Sequence, residues 1–215
     1  MILPIAERLT PDRALIFRII HRANVAALLK AGLHCSSTAP AGSSFVQIGN
    51  PELIAKRKQR AVDYPPGGVL PDYVPFYFTP LTPMLYNIKT GYHGITRRPL
   101  RDILILMSDL PKLQDLGVAF VFSDRHAYLK TARFSSNLRD LSWIDWKALQ
   151  TRNFRRDDSD RFERYQAEAL VYQHMPVSAL RGMVCYDAAV KQEVEALAAA
   201  VGVTLKVAVR PGWYR

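Results

Sequence analysis

Strand-like runs recur along the whole chain without alternating with long helices, which argues against a regular parallel βαβ architecture. Leu15–His21, Asp72–Phe78, Leu100–Met107, Val118–Phe122, Glu168–Tyr172, Met183–Tyr186 and Thr204–Val209 are short and rich in branched or aromatic side chains. Helices are predicted over Val25–Ala31, capped by Asn24 and closed by Gly32, and over Pro51–Arg60, capped by Asn50. Others are predicted from Pro83 (capped by Thr82), over Leu110–Leu116, over Asp140–Leu149 with Trp143 and Trp146 on one face, and over the alanine-rich Ala188–Ala200. Pro75 places its strand at a sheet edge or in an irregular pairing. The expectation is one mixed α+β domain over residues 1–215 with a central, partly antiparallel sheet.

With 49% hydrophobic and 22% charged residues the chain can build a sizeable core. Its 29 Lys and Arg against 19 Asp and Glu leave a net +10, which points to a polyanionic partner, nucleic acid first. The two cysteines, Cys35 and Cys185, lack metal-ligand spacing, so no metal and a reduced, cytoplasmic setting are expected. No apolar run reaches the roughly 18 residues of a membrane span, and the first residues lack a signal-peptide layout.

One carboxylate, Glu168, opens the apolar run Ala169-Leu170-Val171-Tyr172. A carboxylate there must be paired, protonated or functional, because burying an unpaired charge is costly. Taken alone, the stretch reads as a strand-edge Glu that reaches solvent or meets an arginine. Lys56, Arg57, Lys58 and Arg60 crowd one stretch, either as a solvated face or as a phosphate grip. The loops Thr90–Arg98 and Arg152–Arg161 offer cations for a polyanion or are mobile charged loops.

In order along the chain, five blocks resemble the DarT family of DNA ADP-ribosyltransferase toxins. They are Phe17-Arg18-Ile19-Ile20-His21-Arg22-Ala23-Asn24-Val25; the Arg57 helix leading to Pro65-Pro66-Gly67-Gly68; Asp72–Phe78 with Thr82-Pro83-Met84-Leu85-Tyr86; Phe122-Ser123-Asp124-Arg125-His126 with Ala132-Arg133-Phe134; and Ala167–Tyr172. Pro211-Gly212-Trp213-Tyr214 also matches. The chain departs from the family at Arg18, usually His, and Ile20, usually Thr.

The resemblance implies an ADP-ribosyltransferase-like split, mixed β-sheet core with flanking helices and an NAD cleft. It implies NAD as substrate, with ADP-ribose passed to a base of single-stranded DNA, thymine in the best-known branch and guanine in another. Glu168 and Arg57 resemble the catalytic pair. Arg18, Ile20, His21, Asn24, Arg57, Tyr77 and Met84 fall at cofactor-binding positions, and Arg125, His126, Arg155 and Arg156 at DNA-binding ones. A DarG-type macrodomain antitoxin is the implied protein partner, with no membrane association and a monomeric chain. The competing readings are a nucleic-acid-binding module with a degenerate cleft and a transferase acting on RNA or protein.

Overall fold

The computed structural model describes residues 4–39, 45–152, 154–155 and 157–214. Its strands are β1 (Leu15–His21), β2 (Leu33–His34), β3 (Tyr73–Tyr77), β4 (Ile103–Asp109), β5 (Phe120–Ser123), β6 (Phe134–Ser135), β7 (Glu168–Tyr172), β8 (His174–Met175), β9 (Gly182–Cys185) and β10 (Val207–Val209). The α-helices are α1 (Val25–Ala31), α2 (Pro51–Arg57), α3 (Pro83–Thr90), α4 (Leu110–Asp115), α5 (Trp146–Thr151), α6 (Ser159–Tyr165) and α7 (Ala188–Ala200). Among the described residues no helix is long and apolar enough to cross a membrane.

Eight strands form one mixed sheet in the order β10-β9-β4-β1-β3-β7-β5-β6, parallel only between β9 and β10; β2 and β8 pair separately. The sheet is split in its middle. β1 and β4 pair along their whole length, from Leu15 opposite Asp109 to His21 opposite Ile103. β3 and β7 do the same, from Tyr73 opposite Tyr172 to Tyr77 opposite Glu168. Between β1 and β3 there is a single register pair, Phe17 opposite Tyr77.

Side-chain alternation sorts β7 between two apolar clusters. Ala169 and Val171 enter the main core with Val74, Phe76, Phe122 and the buried faces of α1 and α7. Leu170 faces the other way, into a smaller cluster with Val62, Leu70, Tyr73, Val121, Ala127 and Phe134. Glu168 and Tyr77 share that second face, so the segments that supply Val62, Leu70 and Ala127 cover the carboxylate.

Several predicted elements change in the fold. Of the two settings expected for Pro75, the structure shows the irregular pairing and not the edge: its strand is interior, the β1 side has opened there, and the Pro75 carbonyl accepts a bond from Arg18 Nη1 at 2.8 Å. Asn24 does not cap α1. His21 Nδ1 accepts from the Ala23 N–H at 3.2 Å, starting a short 3-10 turn instead. Asp140–Leu149 breaks into a 3-10 stretch over Leu138–Trp143 and then α5, because the Asp145 side chain accepts from the Ala148 N–H at 2.9 Å and starts a new helix. Trp143 therefore stacks under Arg133, while the Trp146 ring packs on Phe78. Leu100–Asp102 form a 3-10 turn ahead of β4. In the charged stretch after Arg152, Asp158 caps α6 through the Arg161 N–H. Asn50 and Thr82 cap α2 and α3 as predicted, and Gly32 ends α1 at φ +75°.

Candidate active site

Glu168 is fully buried at the first residue of β7. Its carboxylate is held from several directions. Arg57 donates from Nη1 to Oε1 and from Nη2 to Oε2, both at 2.8 Å, in a bidentate fork. The Ala127 N–H donates to Oε1 at 3.0 Å, and His126 Nδ1 lies 3.0 Å from the same oxygen. Burial alone would push the Glu168 pKa up. The charges and hydrogen bonds of Arg57 and His126 outweigh it and hold the carboxyl well below its usual range. Burial likewise disfavours the Arg57 cation, and Glu168 overcomes it, so the Arg57 pKa is raised.

Local structure explains why Arg57 is the residue that arrives. α2 stops at Arg57, which turns the four cations in different directions. Lys56 lines the neighbouring cleft, whereas Arg60 bonds the Leu129 carbonyl at 3.1 Å and sits over the Phe134 ring. His126 and Ala127 are placed by the turn after β5. There Asp124 accepts from the Arg133 N–H at 3.0 Å and from Arg133 Nε at 2.9 Å, closing the loop. The Ser123 hydroxyl donates to the Arg125 carbonyl at 2.7 Å and accepts from the Glu168 N–H at 3.3 Å. His126 Nδ1 is also 3.3 Å from the Tyr128 N–H. That nitrogen can accept from Tyr128 or donate to Glu168, not both, so the two contacts belong to different tautomers.

A cleft of about 460 Å³ opens beside the pair, lined by Tyr77, Met84, His126, Asn50, Lys56 and Phe162 among others. Tyr77 stands opposite Glu168 in the sheet, and burial together with the Glu168 charge pushes its hydroxyl pKa up. Among the described residues no group of three or more His, Cys, Asp and Glu is arranged to hold a metal ion.

The remaining predicted site residues divide. Arg18 reaches across the seam between β1 and β3; its Nε is buried without a hydrogen-bond partner among the described residues. Burial lowers its pKa to about 10, with Arg57 adding to the effect and Tyr77 and Glu168 opposing it. The Ile20 side chain is a correction: it is packed in the main core opposite Leu104, with no access to the cleft. His21 lies at the far end of β1, where burial and nearby Arg98 lower its pKa, and it does not line the cleft. Asn24 acts at a distance. Its carboxamide donates to the Val46 carbonyl at 3.0 Å and accepts from the Val46 N–H at 2.9 Å, anchoring the segment that carries Ile48 and Asn50 to the cleft. Asn24→Ala leaves both Val46 groups short of a partner and is expected to cost about 1–3 kcal/mol, read by urea denaturation.

Arg125 pairs with Asp160 (3.2 Å), Glu163 (3.4 Å) and Asp124 (3.8 Å), so it ties the β5 turn to α6. Arg155 is exposed, and Arg156 lies outside the described residues. Sequence reasoning missed Ser123 and the Ala127 amide, the polar groups that orient Glu168 from behind. Their only signal was a Ser-Asp turn closing a strand.

The family model described as "ssDNA thymidine ADP-ribosyltransferase, DarT" matches residues 17–215. A DNA ADP-ribosyl transferase of Escherichia coli O127:H6 (strain E2348/69 / EPEC) is 48% identical over 208 residues, covering 96% of this chain and 95% of that protein. The structure of Thermus sp. 2.9 DarT in complex with ADP-ribosylated ssDNA superposes with a TM-score of 0.88 at 33% identity, covering 95% of this chain and 98% of that one. The same protein in complex with NAD+ gives a TM-score of 0.82 at 33% identity, covering 95% and 99%. By family model, sequence and fold together, the chain belongs to the DarT family of single-stranded-DNA thymidine ADP-ribosyltransferases.

Proposed function

We propose that this chain transfers ADP-ribose from NAD to the thymine base of single-stranded DNA, releasing nicotinamide. The observation that carries the reading is the fully buried Glu168 in the bidentate grip of Arg57, beside a cleft walled by Tyr77, Met84 and His126. The cleft supplies the volume, and family membership supplies the substrates.

The reaction breaks the bond between ribose C1′ and the nicotinamide nitrogen. The electron pair leaves with nicotinamide, and positive charge builds on the ribose. A carboxylate held ionised stabilises that charge in a site shielded from water. Thymine in DNA has one ring N–H left, since its other ring nitrogen is bound to deoxyribose. That nitrogen attacks C1′. Once the new bond forms the ring is cationic and its proton strongly acidic, so even a weakly basic acceptor takes it. Glu168 Oε1 is the acceptor at hand, and His126 Nδ1, 3.0 Å from it, is another in the tautomer that leaves that nitrogen unprotonated.

Arg57 has two parts. It keeps Glu168 ionised, and its guanidinium serves the NAD diphosphate or the thymine carbonyls when it turns from the carboxylate. Both Glu168 oxygens are occupied by Arg57. A substrate that reaches them displaces a side-chain donor, because the Ala127 amide is fixed in the backbone.

A transferase of this kind acting on its host's DNA requires restraint. A DarG-type macrodomain antitoxin that removes the modification is the partner this family membership supports.

The test uses purified protein, NAD and four single-stranded oligonucleotides, each lacking one base, with products weighed intact. An ADP-ribose mass shift on every strand except the one without thymine is expected. A shift that persists there, or disappears with guanine instead, overturns the choice of base.

A further inference from the structure

Two loops far apart in sequence converge on one aromatic patch at the rim of the cleft. Tyr92 comes from the loop after α3 and Phe154 from the segment before α6. Tyr86 of α3 joins them, with ring centroids 6.3 Å from Tyr92 and 6.0 Å from Phe154. Phe154 continues inward to Tyr165, 5.5 Å away, which is fully buried with its hydroxyl on the Leu81 carbonyl. The result is a line of rings anchored in the core and ending at the surface.

Its outer end reaches solvent. Tyr86 and Tyr92 are 47% and 49% exposed, and they stand together, whereas isolated surface aromatics need no explanation. Both contacts of Tyr86 are edge-to-face, at 68° and 67°. The patch is continuous with the site. α3 also gives Pro83, Met84 and Asn87 to the cleft, and α6 gives Phe162. Cations stand at its margin: the Arg97 side chain packs beside Gly91, next to Tyr92, and Lys89 and Arg155 are exposed, with Asp157, Asp158 and Asp160 further along the segment of Arg155.

We propose that Tyr86, Tyr92 and Phe154 form a stacking platform for the base of a nucleotide adjacent to the thymidine in the cleft. The proposal rests on the thymidine-transfer reading above. Exposed rings beside positive charge match a strand whose bases are unpaired and whose backbone is anionic. Stacking tolerates any base, because each has a flat π-face, so the platform gives affinity and register more than sequence choice. An extruded thymidine leaves its neighbour unstacked on one side, and an aromatic surface at the cleft rim replaces that lost contact.

The test measures transfer to an oligonucleotide carrying one thymidine, intact or with an abasic site at its 5′ neighbour or its 3′ neighbour. The proteins are the parent, Tyr86→Ala, Tyr92→Ala and Tyr86→Phe. In the parent, one of the two abasic positions is expected to raise KM roughly 10-fold. The alanine variants should show the same rise on the intact strand and no further rise on that abasic strand. Tyr86→Phe, which keeps the ring, should stay with the parent. Alanine variants with the parent's KM, or an abasic penalty that adds in full to theirs, overturn the platform while leaving thymidine transfer standing. If the parent transfers nothing, fluorescence anisotropy with the same strands decides. Base-dependent affinity lost in the alanine variants supports the platform, and affinity unchanged in them overturns it.

Discussion

Glu168→Gln is expected to lower ADP-ribose transfer by about 10²–10³-fold while oligonucleotide binding persists. Glutamine keeps the size of the side chain and one acceptor oxygen for the Ala127 N–H, but it cannot answer the positive charge that builds on the ribose. Arg57, whose side chain is only 14% exposed, is left facing a neutral amide, so the variant should also unfold at lower denaturant. The two effects are separable. Transfer measured per folded molecule, with folding followed by circular dichroism, isolates the chemical loss. If transfer by the folded variant stays within a few-fold of the parent, Glu168 is a structural partner of Arg57 and no more.

Arg57→Ala should be the most destabilising single change in the site, at roughly 3–5 kcal/mol, because it strands a fully buried carboxylate. Transfer should fall at least ~10-fold with the lost charge-assisted contact. The pH dependence of the deficit is diagnostic. In the parent, the folded-state pKa of Glu168 lies below its ordinary value of 4.5. Its contribution to stability is therefore complete above that value and fades as pH falls toward the depressed one. Without Arg57 the main lowering influence is gone and burial pushes the pKa up, so the variant favours the protonated acid. Acidification then weakens the parent and relieves the variant. Urea titrations at pH 7 and pH 4 should show the gap between them narrowing at the lower pH. A constant gap would mean that the pairing with Glu168 does not set the stability of this site.

The parts of this fold readable in the sequence are those where local chemistry and tertiary demand agree. β1 runs from Leu15 to His21 because branched and aromatic residues fill it, and α7 spans Ala188–Ala200 because alanine favours helix and nothing interrupts it. Glu168 was conspicuous because a carboxylate does not enter an apolar strand without reason. Other features required the third dimension. Pro75 allows an edge strand or an irregular pairing; only the fold shows the second, an interior strand whose neighbouring ladder opens there and whose Pro75 carbonyl an arginine takes. Asn24 reads as a cap, but its carboxamide gains two backbone bonds at Val46 that no local pattern discloses. Arg125 stands in a motif with no acid from α6 in sight, yet the fold sets Asp160 and Glu163 of that helix against it. Arg57 was singled out by its resemblance to the family's arginine, but the fork that joins it to Glu168 spans 111 residues of sequence and needed the fold.

The single rung between β1 and β3 also bears on how the protein fails. Glu168, Tyr77, His126 and Ala127 all belong to the β3-β7-β5 side of the sheet or the turn leaving it, and Arg57 is bonded to that side through the fork. Across the seam the β10-β9-β4-β1 side shares one ladder pair, the Arg18 bond to Pro75 and the packing of the main core. At the seam it is this shared packing, not ladder bonds, that resists opening, so loss of packing on one side is felt on the other. Damage to the β4–β9 region therefore lowers the abundance of active molecules before it blunts any one of them, and mutations there register as lost dose.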